Sequence, residues 1–387
     1  MEIQIEATTV MQTPMRFHVL RRYVPARRTF SHNESITLCT HGDYVHLENL
    51  QQLAERWRGP VSVAVYAPGD DLGPTVDAIV HCRTCLSPLI AELVTFHVFF
   101  DRSAARAGSF PHSTLVMARM ANCTSVPPWT WLARLHGAIW AVRKVSHAKS
   151  RYRLRHGYDK HKHGLHYPVN VARNIARHSA TTRYVLVSDI EMYPSENIIP
   201  WFLKMIGRRP TTPARDRPRV YVLPDFEVRR NIRAPTTKAQ LVKLFWRQQV
   251  LPFHKQLCPE CHQVPRLRQW LSARPGTELA VTSVASRQGA LRYWEPVYIG
   301  TRSEPRYDER FTWEGQRDRM VQVFELCALC YEFHVLDNAF VVHKPGVKKF
   351  KKERDRSVYV HQTKEMVERI VLPELERKYP ASRYCYL

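Results

Sequence analysis

The chain has 387 residues, 44% of them hydrophobic, so it can bury a sizeable core and is not a wholly disordered protein. Its formal net charge of +23 favours anionic partners such as nucleic acid, an anionic membrane, polyanionic glycans or sugar nucleotides. It has no run of about 18 apolar residues, and residues 1–29 lack the apolar core of a signal peptide, so no membrane anchor or leader is predicted within this sequence.

The first part of the chain predicts a parallel strand–helix–strand unit. Residues 1–35 show no clear period and are predicted to form a poorly ordered lead-in. Residues 36–40 and 61–67 are typical of buried strands, and apolar residues at helical spacing predict an amphipathic helix over residues 46–57. Because the unit spans only about thirty residues, its two strands are expected to be parallel. It lacks the pattern G-x-G-x-x-G, so no dinucleotide-binding site is predicted there.

The rest of the chain predicts further strands and helices, with no internal repeat and no long linker. Strands are predicted at residues 93–100, 184–187, 220–226, 295–300 and 333–342. Helices are predicted at residues 71–85, 168–177, 239–249, 319–331 and 363–378. We therefore predict an α/β fold with a mixed, mostly parallel central sheet flanked by helices, in a single unit over residues 36–387.

A basic segment over residues 143–166 mixes lysines and arginines with tyrosines and histidines. Such a mixture is typical of segments that bind nucleic acid. It is equally typical of a solvated loop that lies beside an anionic substrate. We favour the loop, so nucleic acid is not the partner that we predict.

The nine cysteines include three Cys-x-x-Cys pairs, which leave several interpretations open. The pair Cys258 and Cys261, followed by His262, resembles half of a zinc site. Local or long-range disulfides in an oxidising lumen, and buried thiols, are the alternatives. Buried thiols are predicted for Cys327 and Cys330, which lie one helical turn apart in an apolar helix.

Two acids follow the predicted buried strand at residues 184–187. Asp189 and Glu191 are one residue apart, so on an extended backbone their side chains would point the same way. Ligands of open α/β sheets bind at the carboxyl ends of strands. A carboxylate pair there can hold a hard divalent cation that carries a nucleotide diphosphate. The alternative is a pair of solvated acids at a strand end.

The predicted helix over residues 168–177 carries a polar face next to its buried face. Asn170, Arg173 and Asn174 are spaced i, i+3 and i+4, so they lie together on the helix surface. The helix runs directly into the strand that precedes Asp189. Either this face is simply solvated, or its amides and guanidinium reach a bound nucleotide sugar.

Five short motifs, in this order, resemble those of the family-49 glycosyltransferases, over about residue 36 to the C-terminus. They are Gly59-Pro60-Val61-Ser62-Val63-Ala64, Tyr167-Pro168-Val169-Asn170 with Arg173-Asn174, Ser188-Asp189-Ile190-Glu191, Tyr307-Asp308-Glu309-Arg310-Phe311 and Val341-Val342-His343-Lys344. The resemblance implies a GT-A fold, Mn²⁺, UDP-glucuronate as the donor, and inversion at the anomeric carbon. The implied acceptor is a xylose-terminated O-linked glycan.

The resemblance also implies a location in the Golgi lumen. Members of the family are type II membrane proteins, held there by an N-terminal anchor that we do not find in this sequence. Two N-glycosylation sequons, at Asn33 and Asn122, fit a secretory protein. The sequence departs from many GT-A enzymes at Glu191, where they have a second aspartate, and this leaves the exact ligand set open.

The resemblance assigns roles to residues in the C-terminal part of the chain. His343 is similar to the metal-binding histidine of GT-A enzymes; its alternative role is packing. An inverting enzyme needs one base to deprotonate the acceptor hydroxyl, and Asp308, Glu309 and Asp318 are the candidates. Asp318 occupies the place where many GT-A enzymes carry this base. Asp308 and Glu309 could instead hold the acceptor or pair with Arg310.

The predicted function is that of a metal-dependent, inverting β-1,4-glucuronyltransferase. Transfer of xylose or N-acetylglucosamine from the corresponding UDP-sugar is the alternative within the same fold. A basic nucleic-acid-binding protein that uses residues 143–166 is the alternative from a different class, and an inactive glycan-binding member of the family is a third.

Overall fold

The computed structural model describes residues 17–68, 71–101, 123, 166–208, 217–344, 346–348, 354–382 and 384–387. The sequon at Asn122 and the basic segment, except for His166, lie outside these residues. In the described part of the chain, every helix is too short or too polar to cross a lipid bilayer.

Strands and helices are numbered here in chain order. The strands are β1 (Phe17–Val24), β2 (Ile36–Gly42), β3 (Val61–Tyr66), β4 (Val94–Asp101), β5 (Tyr184–Val187), β6 (Met192–Pro194), β7 (Arg219–Leu223), β8 (Asp225–Val228), β9 (Val250–Pro252), β10 (Val281–Ala285), β11 (Val297–Thr301), β12 (Glu332–Leu336) and β13 (Val341–His343). The helices are α1 (Leu50–Trp57), α2 (Leu72–His81), α3 (Pro88–Leu93), α4 (Val169–His178), α5 (Ile198–Gly207), α6 (Lys238–Trp246), α7 (Leu267–Ser272), α8 (Met320–Ala328), α9 (Arg354–Met366) and α10 (Leu372–Lys378).

The strands form a large mixed sheet and a small one. The nine-stranded sheet has the order β1-β4-β3-β2-β5-β11-β7-β12-β10, and the four-stranded sheet has the order β6-β13-β8-β9. Of the eight neighbouring pairs in the larger sheet, four are parallel and four antiparallel. The prediction of a mixed sheet with flanking helices is thus confirmed, whereas the predominance of parallel pairs is not.

The sequence-based prediction agrees best with the structure in the parallel part of the larger sheet. Strands β2 and β3 are buried at every residue, as expected for parallel strands covered on both faces. The helix between them, α1, buries Leu50, Leu53, Ala54 and Trp57 at helical spacing. Gly59 follows α1, and a Cβ there would lie 2.3 Å from Cδ1 of Ile199, so a larger residue would require Ile199 to move.

Two predicted strands are each divided in the structure. Pro224 separates β7 from β8, and Asn338, with φ of 57°, lies between β12 and β13. The first member of each pair stays in the larger sheet and the second crosses to the smaller one. The predictions of continuous strands at 220–226 and 333–342 are therefore wrong. This division carries Val341–His343 to the neighbourhood of Glu191.

Residues 17–24 correct the prediction of a disordered lead-in, because they form the edge strand β1, antiparallel to β4. The fully buried His97 holds β1 in place: the backbone N–H of Arg22 donates to its Nδ1 at 2.9 Å. Nε2 lies 3.0 Å from the hydroxyl of Ser62, which itself donates to the carbonyl of Ala176, so this hydroxyl accepts from Nε2–H. Only the neutral imidazole satisfies both contacts, and burial lowers the pKa of His97 to about 3.

His97 should make the free energy of unfolding depend on pH. In the unfolded chain its pKa returns to about 6.5, so below that pH the unfolded state binds a proton that the folded state does not. Its contribution is present above pH 6.5 and is lost as pH falls towards 3, with a slope of up to about 1.4 kcal/mol per pH unit. Urea unfolding at pH 7.0 and pH 5.0 should show this loss, and His97→Gln should show less of it. Equal losses in both proteins would contradict the assignment.

Six of the nine cysteines form disulfides: Cys85–Cys123, Cys258–Cys261 and Cys327–Cys385. Cys39 and Cys82 are buried thiols and Cys330 is an exposed one. The prediction of half a zinc site at residues 258–261 is wrong, and so is the prediction that the cysteines at 327 and 330 are both buried thiols. Local and long-range disulfides, the other alternative, are confirmed.

The pairing predicts three different thiol counts. A thiol-reactive dye should modify one cysteine in the folded protein expressed with a secretion signal, since only Cys330 is an exposed thiol. It should modify three after denaturation and nine after denaturation with reduction. Nine reactive thiols in the denatured, unreduced protein would contradict the disulfides.

Candidate active site

The two predicted metal-binding acids lie on a turn rather than on an extended strand. Strand β5 ends at Val187, and the backbone N–H of Met192 donates to the carbonyl of Asp189 at 2.9 Å, which closes a turn into β6. The expectation that both side chains point the same way from extended backbone is therefore wrong. Asp189 and Glu191 instead contact different groups at the carboxyl end of β5.

Asp189 lies among three nitrogen-bearing side chains. Its Oδ1 accepts from Nη2 of Arg319 at 3.0 Å and from Nη2 of Arg173 at 3.2 Å, and Nε2 of His41 lies 3.4 Å away. The carboxylate is nevertheless 42% exposed, so it also faces open solvent. Burial acts to raise the pKa of Asp189, but Arg319, His41 and Arg173 outweigh it and hold this pKa well below the usual value. Asp189 is thus an anion throughout the neutral range.

Glu191 meets His343, the residue that ends β13. Nε2 of His343 lies 3.4 Å from Oε2 of Glu191, but the two atoms do not form a hydrogen bond. His343 is 2% exposed, and both of its ring nitrogens lack a hydrogen-bond partner. Burial lowers its pKa, so the imidazole is neutral. A buried imidazole with two unsatisfied nitrogens is costly unless something binds it.

These residues are of the type that a divalent metal requires. Neutral imidazole and carboxylate oxygens suit Mn²⁺, and the unsatisfied nitrogens of His343 offer a free electron pair beside Glu191. Within the described ranges, however, no three His, Cys, Asp or Glu side chains are gathered into a ready-made metal site. The structure brings Glu191 and His343 together, whereas the ion pairs of Asp189 are with arginines and a histidine.

The polar face of α4 contacts the segment at residues 307–318. The amide of Asn170 donates to the carbonyls of Asp308 and Asp318, each at 2.7 Å, and Asn170 is fully buried. The amide of Asn174 donates to the carbonyl of Tyr307 at 2.8 Å and accepts from its N–H at 3.1 Å. Both amides therefore anchor this segment, and their contact with a nucleotide stays a prediction.

Arg173 connects that segment to the acids after β5. Its Nη1 donates to the carboxylate of Asp318 and to Oδ1 of Asn170, while its Nη2 donates to Asp189. The side chain is 3% exposed. A buried arginine with two acid partners fixes their relative positions, since moving either acid breaks a hydrogen bond to a buried charge.

The three candidate bases differ in their partners. Asp308 forms hydrogen bonds with Arg310, whose guanidinium also pairs with Glu374 at 2.8 Å. Asp318 pairs with Arg173, as described above. Among the described residues, no lysine or arginine forms an ion pair with Glu309, which accepts from the neutral amide of Asn174 at 3.0 Å. The carboxylates of Asp308 and Asp318 are each bound to a guanidinium and that of Glu309 is not, so Glu309 is the candidate best placed to accept a proton.

Sequence reasoning missed His41 and Arg319. His41 lies near the end of β2, and its Nδ1 is 2.9 Å from the hydroxyl of Tyr167 while its Nε2 faces Asp189. A polar residue at the carboxyl end of a predicted parallel strand was a usable signal for it. Arg319 directly precedes α8, and no local pattern distinguishes it from the other arginines in the sequence.

If His343 is a metal ligand, His343→Gln should weaken Mn²⁺ binding by at least about tenfold. UDP affinity measured in the presence of Mn²⁺ should fall with it, and excess Mn²⁺ should restore part of it. His334→Gln is the matched control, because His334 is also buried on a strand and lies 3.0 Å from a glutamate, Glu332. Calorimetric titration with Mn²⁺ and then UDP makes the comparison.

Two results would assign His343 a packing role instead. One is a His343→Gln protein with wild-type Mn²⁺ affinity and a lower melting temperature. The other is an equal loss of Mn²⁺ affinity in His334→Gln, which would show that the effect is not specific to this site.

The chain was compared with known proteins. A family model described as "Glycosyl-transferase for dystroglycan" matches residues 35–380. The chain is 32% identical to beta-1,4-glucuronyltransferase 1 of Danio rerio over 357 residues, which cover 90% of this chain and 74% of that protein. It is 28% identical to the Homo sapiens protein of the same name over 362 residues, covering 94% of this chain and 80% of that protein.

A second group of relatives is similar over a shorter stretch. Xylosyl- and glucuronyltransferase LARGE1 of Mus musculus is 26% identical over 233 residues, which cover 59% of this chain and 29% of that protein. The family match, by contrast, spans most of the chain and includes all five motifs. The resemblance drawn from those motifs is confirmed: the chain belongs to the family of glycosyltransferases for dystroglycan.

Proposed function

We propose that the protein is a divalent-metal-dependent, inverting β-1,4-glucuronyltransferase. It transfers glucuronate from UDP-glucuronate to a xylose-terminated O-linked glycan. Support comes from the names of relatives that match most of this chain, beta-1,4-glucuronyltransferase 1 in Danio rerio and Homo sapiens. The proposal assigns this chain the donor and the linkage, both of which are open to direct measurement.

One structural observation carries the proposal. Asp189 and Glu191 both follow β5, Glu191 contacts His343, and Arg173 connects Asp189 directly to Asp318 in the segment at residues 307–318. The proposed metal ligands and the candidate bases therefore lie on either side of one buried arginine. Transfer of a sugar from a nucleotide requires this combination, because the leaving group and the acceptor must be activated on opposite sides of one carbon.

In this proposal Asp189, Glu191 and His343 hold Mn²⁺. The metal ion neutralises the diphosphate and so makes UDP a better leaving group. The protein residues prepare the site: burial keeps the imidazole of His343 neutral, and neighbouring groups hold the pKa of both carboxyls below the usual value. Burial opposes the ionisation of Glu191, and His343, His46 and Lys348 overcome it.

The chemical step needs one base. In our proposal the carboxylate of Glu309 accepts the proton of the acceptor hydroxyl while that oxygen forms a bond with the anomeric carbon. The bond from this carbon to the UDP oxygen breaks on the opposite face, and UDP leaves with the electron pair, so the configuration inverts. Asn170 and Asn174 position the base by fixing the segment at residues 307–318. Asp318, held by Arg173, is the second candidate for the same role.

We also propose a GT-A fold, a single catalytic unit over residues 36–387 that β1 extends, and a location in the Golgi lumen. Three disulfides support the location, because disulfides form in the oxidising secretory pathway. Asn33, the first residue of a sequon, is exposed in a turn. Glycosylation in that pathway is therefore sterically open at this position.

A donor screen tests the proposed function. Calorimetric binding of UDP-glucuronate, UDP-xylose, UDP-N-acetylglucosamine and UDP-glucose is measured with Mn²⁺ and with a chelator. We expect UDP-glucuronate to bind most tightly and only when Mn²⁺ is present. Tighter binding of another UDP-sugar, or equal binding with the chelator, would overturn the donor or the metal assignment respectively.

A further inference from the structure

The donor assigned above carries a carboxylate that needs a cation in the site. Two arginines converge on one oxygen of Asp189, namely Arg173 and Arg319. Arg173 also pairs with Asp318. These four residues form a cluster of two guanidinium groups and two carboxylates. Which arginine can accept a further anion depends on how each guanidinium is already used.

Arg173 has no free terminal nitrogen. Nη1 donates to Asp318 and to Asn170, and Nη2 donates to Asp189. Nε is buried and has no hydrogen-bond partner, so a ligand does not reach it. If Asp189 turned away, Arg173 would still keep Asp318, and its charge would remain neutralised.

The guanidinium of Arg319 forms fewer hydrogen bonds than that of Arg173. Among the described residues, the contact of its guanidinium is a single hydrogen bond from Nη2 to Oδ1 of Asp189. Its side chain is 11% exposed, against 3% for Arg173, and its partner Asp189 is 42% exposed. The meeting point of Arg319 and Asp189 therefore lies at the open side of the cluster. A guanidinium has five N–H donors, so most of those of Arg319 remain available.

The position of Arg319 also makes its charge costly. Arg319 is largely buried, it shares Oδ1 of Asp189 with the guanidinium of Arg173, and its own ion pair is with that single carboxylate. Arg319 directly precedes α8, whose N-terminal end carries a partial positive charge. A buried cation at a helix N-terminus, with one shared acid, is a place where a second anion is stabilised.

We propose that Arg319 binds the carboxylate of the donor's uronic acid and thereby selects glucuronate over neutral sugars. The inference rests on the proposed function, because it requires a donor that carries a carboxylate. A guanidinium pairs with a carboxylate through two parallel N–H···O bonds, a geometry that the CH₂OH group of glucose does not match. The diphosphate is a different anion of the same donor, and the experiment separates the two.

The experiment measures the affinity of three ligands by calorimetry in Mn²⁺: UDP, UDP-glucose and UDP-glucuronate. The proteins are the wild type, Arg319→Gln, Arg319→Lys and the control Arg317→Gln. Arg317 is an exposed arginine two residues earlier, so its replacement makes the same change in net charge outside the cluster. Circular dichroism and melting temperature establish that each variant is folded.

We expect Arg319→Gln to lose about 10- to 100-fold in affinity for UDP-glucuronate, the range expected for one charge-assisted hydrogen-bonded contact. Its affinities for UDP and UDP-glucose should stay within about threefold of wild type, since neither ligand has the carboxylate. Arg319→Lys should lose less, because it keeps the charge but not the planar fork. Arg317→Gln should match the wild type for all three ligands.

Three results would overturn the proposal. Equal losses for all three ligands would show that Arg319 acts through Asp189 or the diphosphate, and no loss for any would show that it is not in the site. In both of these cases the preference for UDP-glucuronate would persist in Arg319→Gln, which would refute the role of Arg319 and leave the proposed function standing. A wild-type protein that binds UDP-glucose as tightly as UDP-glucuronate would instead sink the proposed function and this inference with it.

Discussion

Replacing Asp189 by asparagine is expected to lower glucuronyl transfer by at least about three orders of magnitude while the protein remains folded. The change removes a negative charge and almost no volume, and the side chain is 42% exposed, so the packing of the core is not affected. What is lost is the carboxylate that both arginines and the proposed metal site share. Turnover with UDP-glucuronate and a xyloside acceptor, together with the melting temperature, measures both expectations.

A matched control separates the loss of an acid at the site from the loss of an acid elsewhere. Asp337 is partly buried and pairs with the buried Lys238, so Asp337→Asn also removes the acid partner of a buried cation. It should lower the melting temperature yet leave the turnover per folded molecule at the wild-type value. Normal turnover in Asp189→Asn would remove this residue from the site, and equal turnover losses in both variants would show a general effect of stability.

The second large effect is expected at Glu309. Replacement by glutamine keeps an oxygen that accepts from Asn174 but removes the proton acceptor, so turnover should fall about 10²- to 10⁴-fold. The affinity for UDP-glucuronate should stay close to wild type, because the base acts on the acceptor. Steady-state turnover and calorimetric donor binding, measured on the same preparation, check the two expectations together.

Three further variants rank the candidate bases. Asp318→Asn should weaken donor affinity as well as turnover, because Arg173 loses one of its two acids. Asp308→Asn should mainly lower stability, since this carboxylate is committed to Arg310. Glu374→Gln, the control, removes the second acid partner of Arg310 and should leave turnover unchanged. Wild-type turnover in Glu309→Gln, with a selective loss in Asp318→Asn, would transfer the base to Asp318.

Sequence reasoning succeeded where burial alone specifies the structure. Strands β2 and β3 are rich in β-branched and apolar residues, as expected for strands covered on both faces, and α1 shows its buried face at the expected spacing. The place of Asp189 after β5 followed from the same reasoning. These features depend on residues that are close in sequence, so a short window contains the necessary signal.

The features that were missed depend on contacts distant in sequence. Strand β1 reads as part of a disordered lead-in because its register is set by β4, more than 70 residues away. The turn at residues 189–192 separates two acids that an extended strand would have aligned. The role of Asn170 and Asn174 as anchors could not be predicted, because their partners are backbone groups of residues 307–318. Every residue has a backbone carbonyl, so the amino-acid sequence does not show which carbonyl will accept a hydrogen bond.

The role of Arg319 could not be predicted either, because its contacts are also with residues distant in sequence. The sequence contains 58 lysines and arginines, so a cation for the donor's carboxylate could not be chosen among them. The structure singles out Arg319 by its burial, its shared acid and its place before α8. Each of these properties arises only when the chain between residues 189 and 319 has folded.

The most direct measurement is acceptor-dependent transfer by the purified protein, residues 1–387. The protein is incubated with UDP-glucuronate, Mn²⁺ and a β-xyloside, and the product is identified by mass and by nuclear magnetic resonance. We predict one added glucuronate in a β-1,4 linkage to the xylose, inverted relative to the α-linked donor, and none when Mn²⁺ is chelated. Transfer from UDP-xylose or UDP-N-acetylglucosamine but not from UDP-glucuronate, or an α-linked product, would contradict the proposed activity.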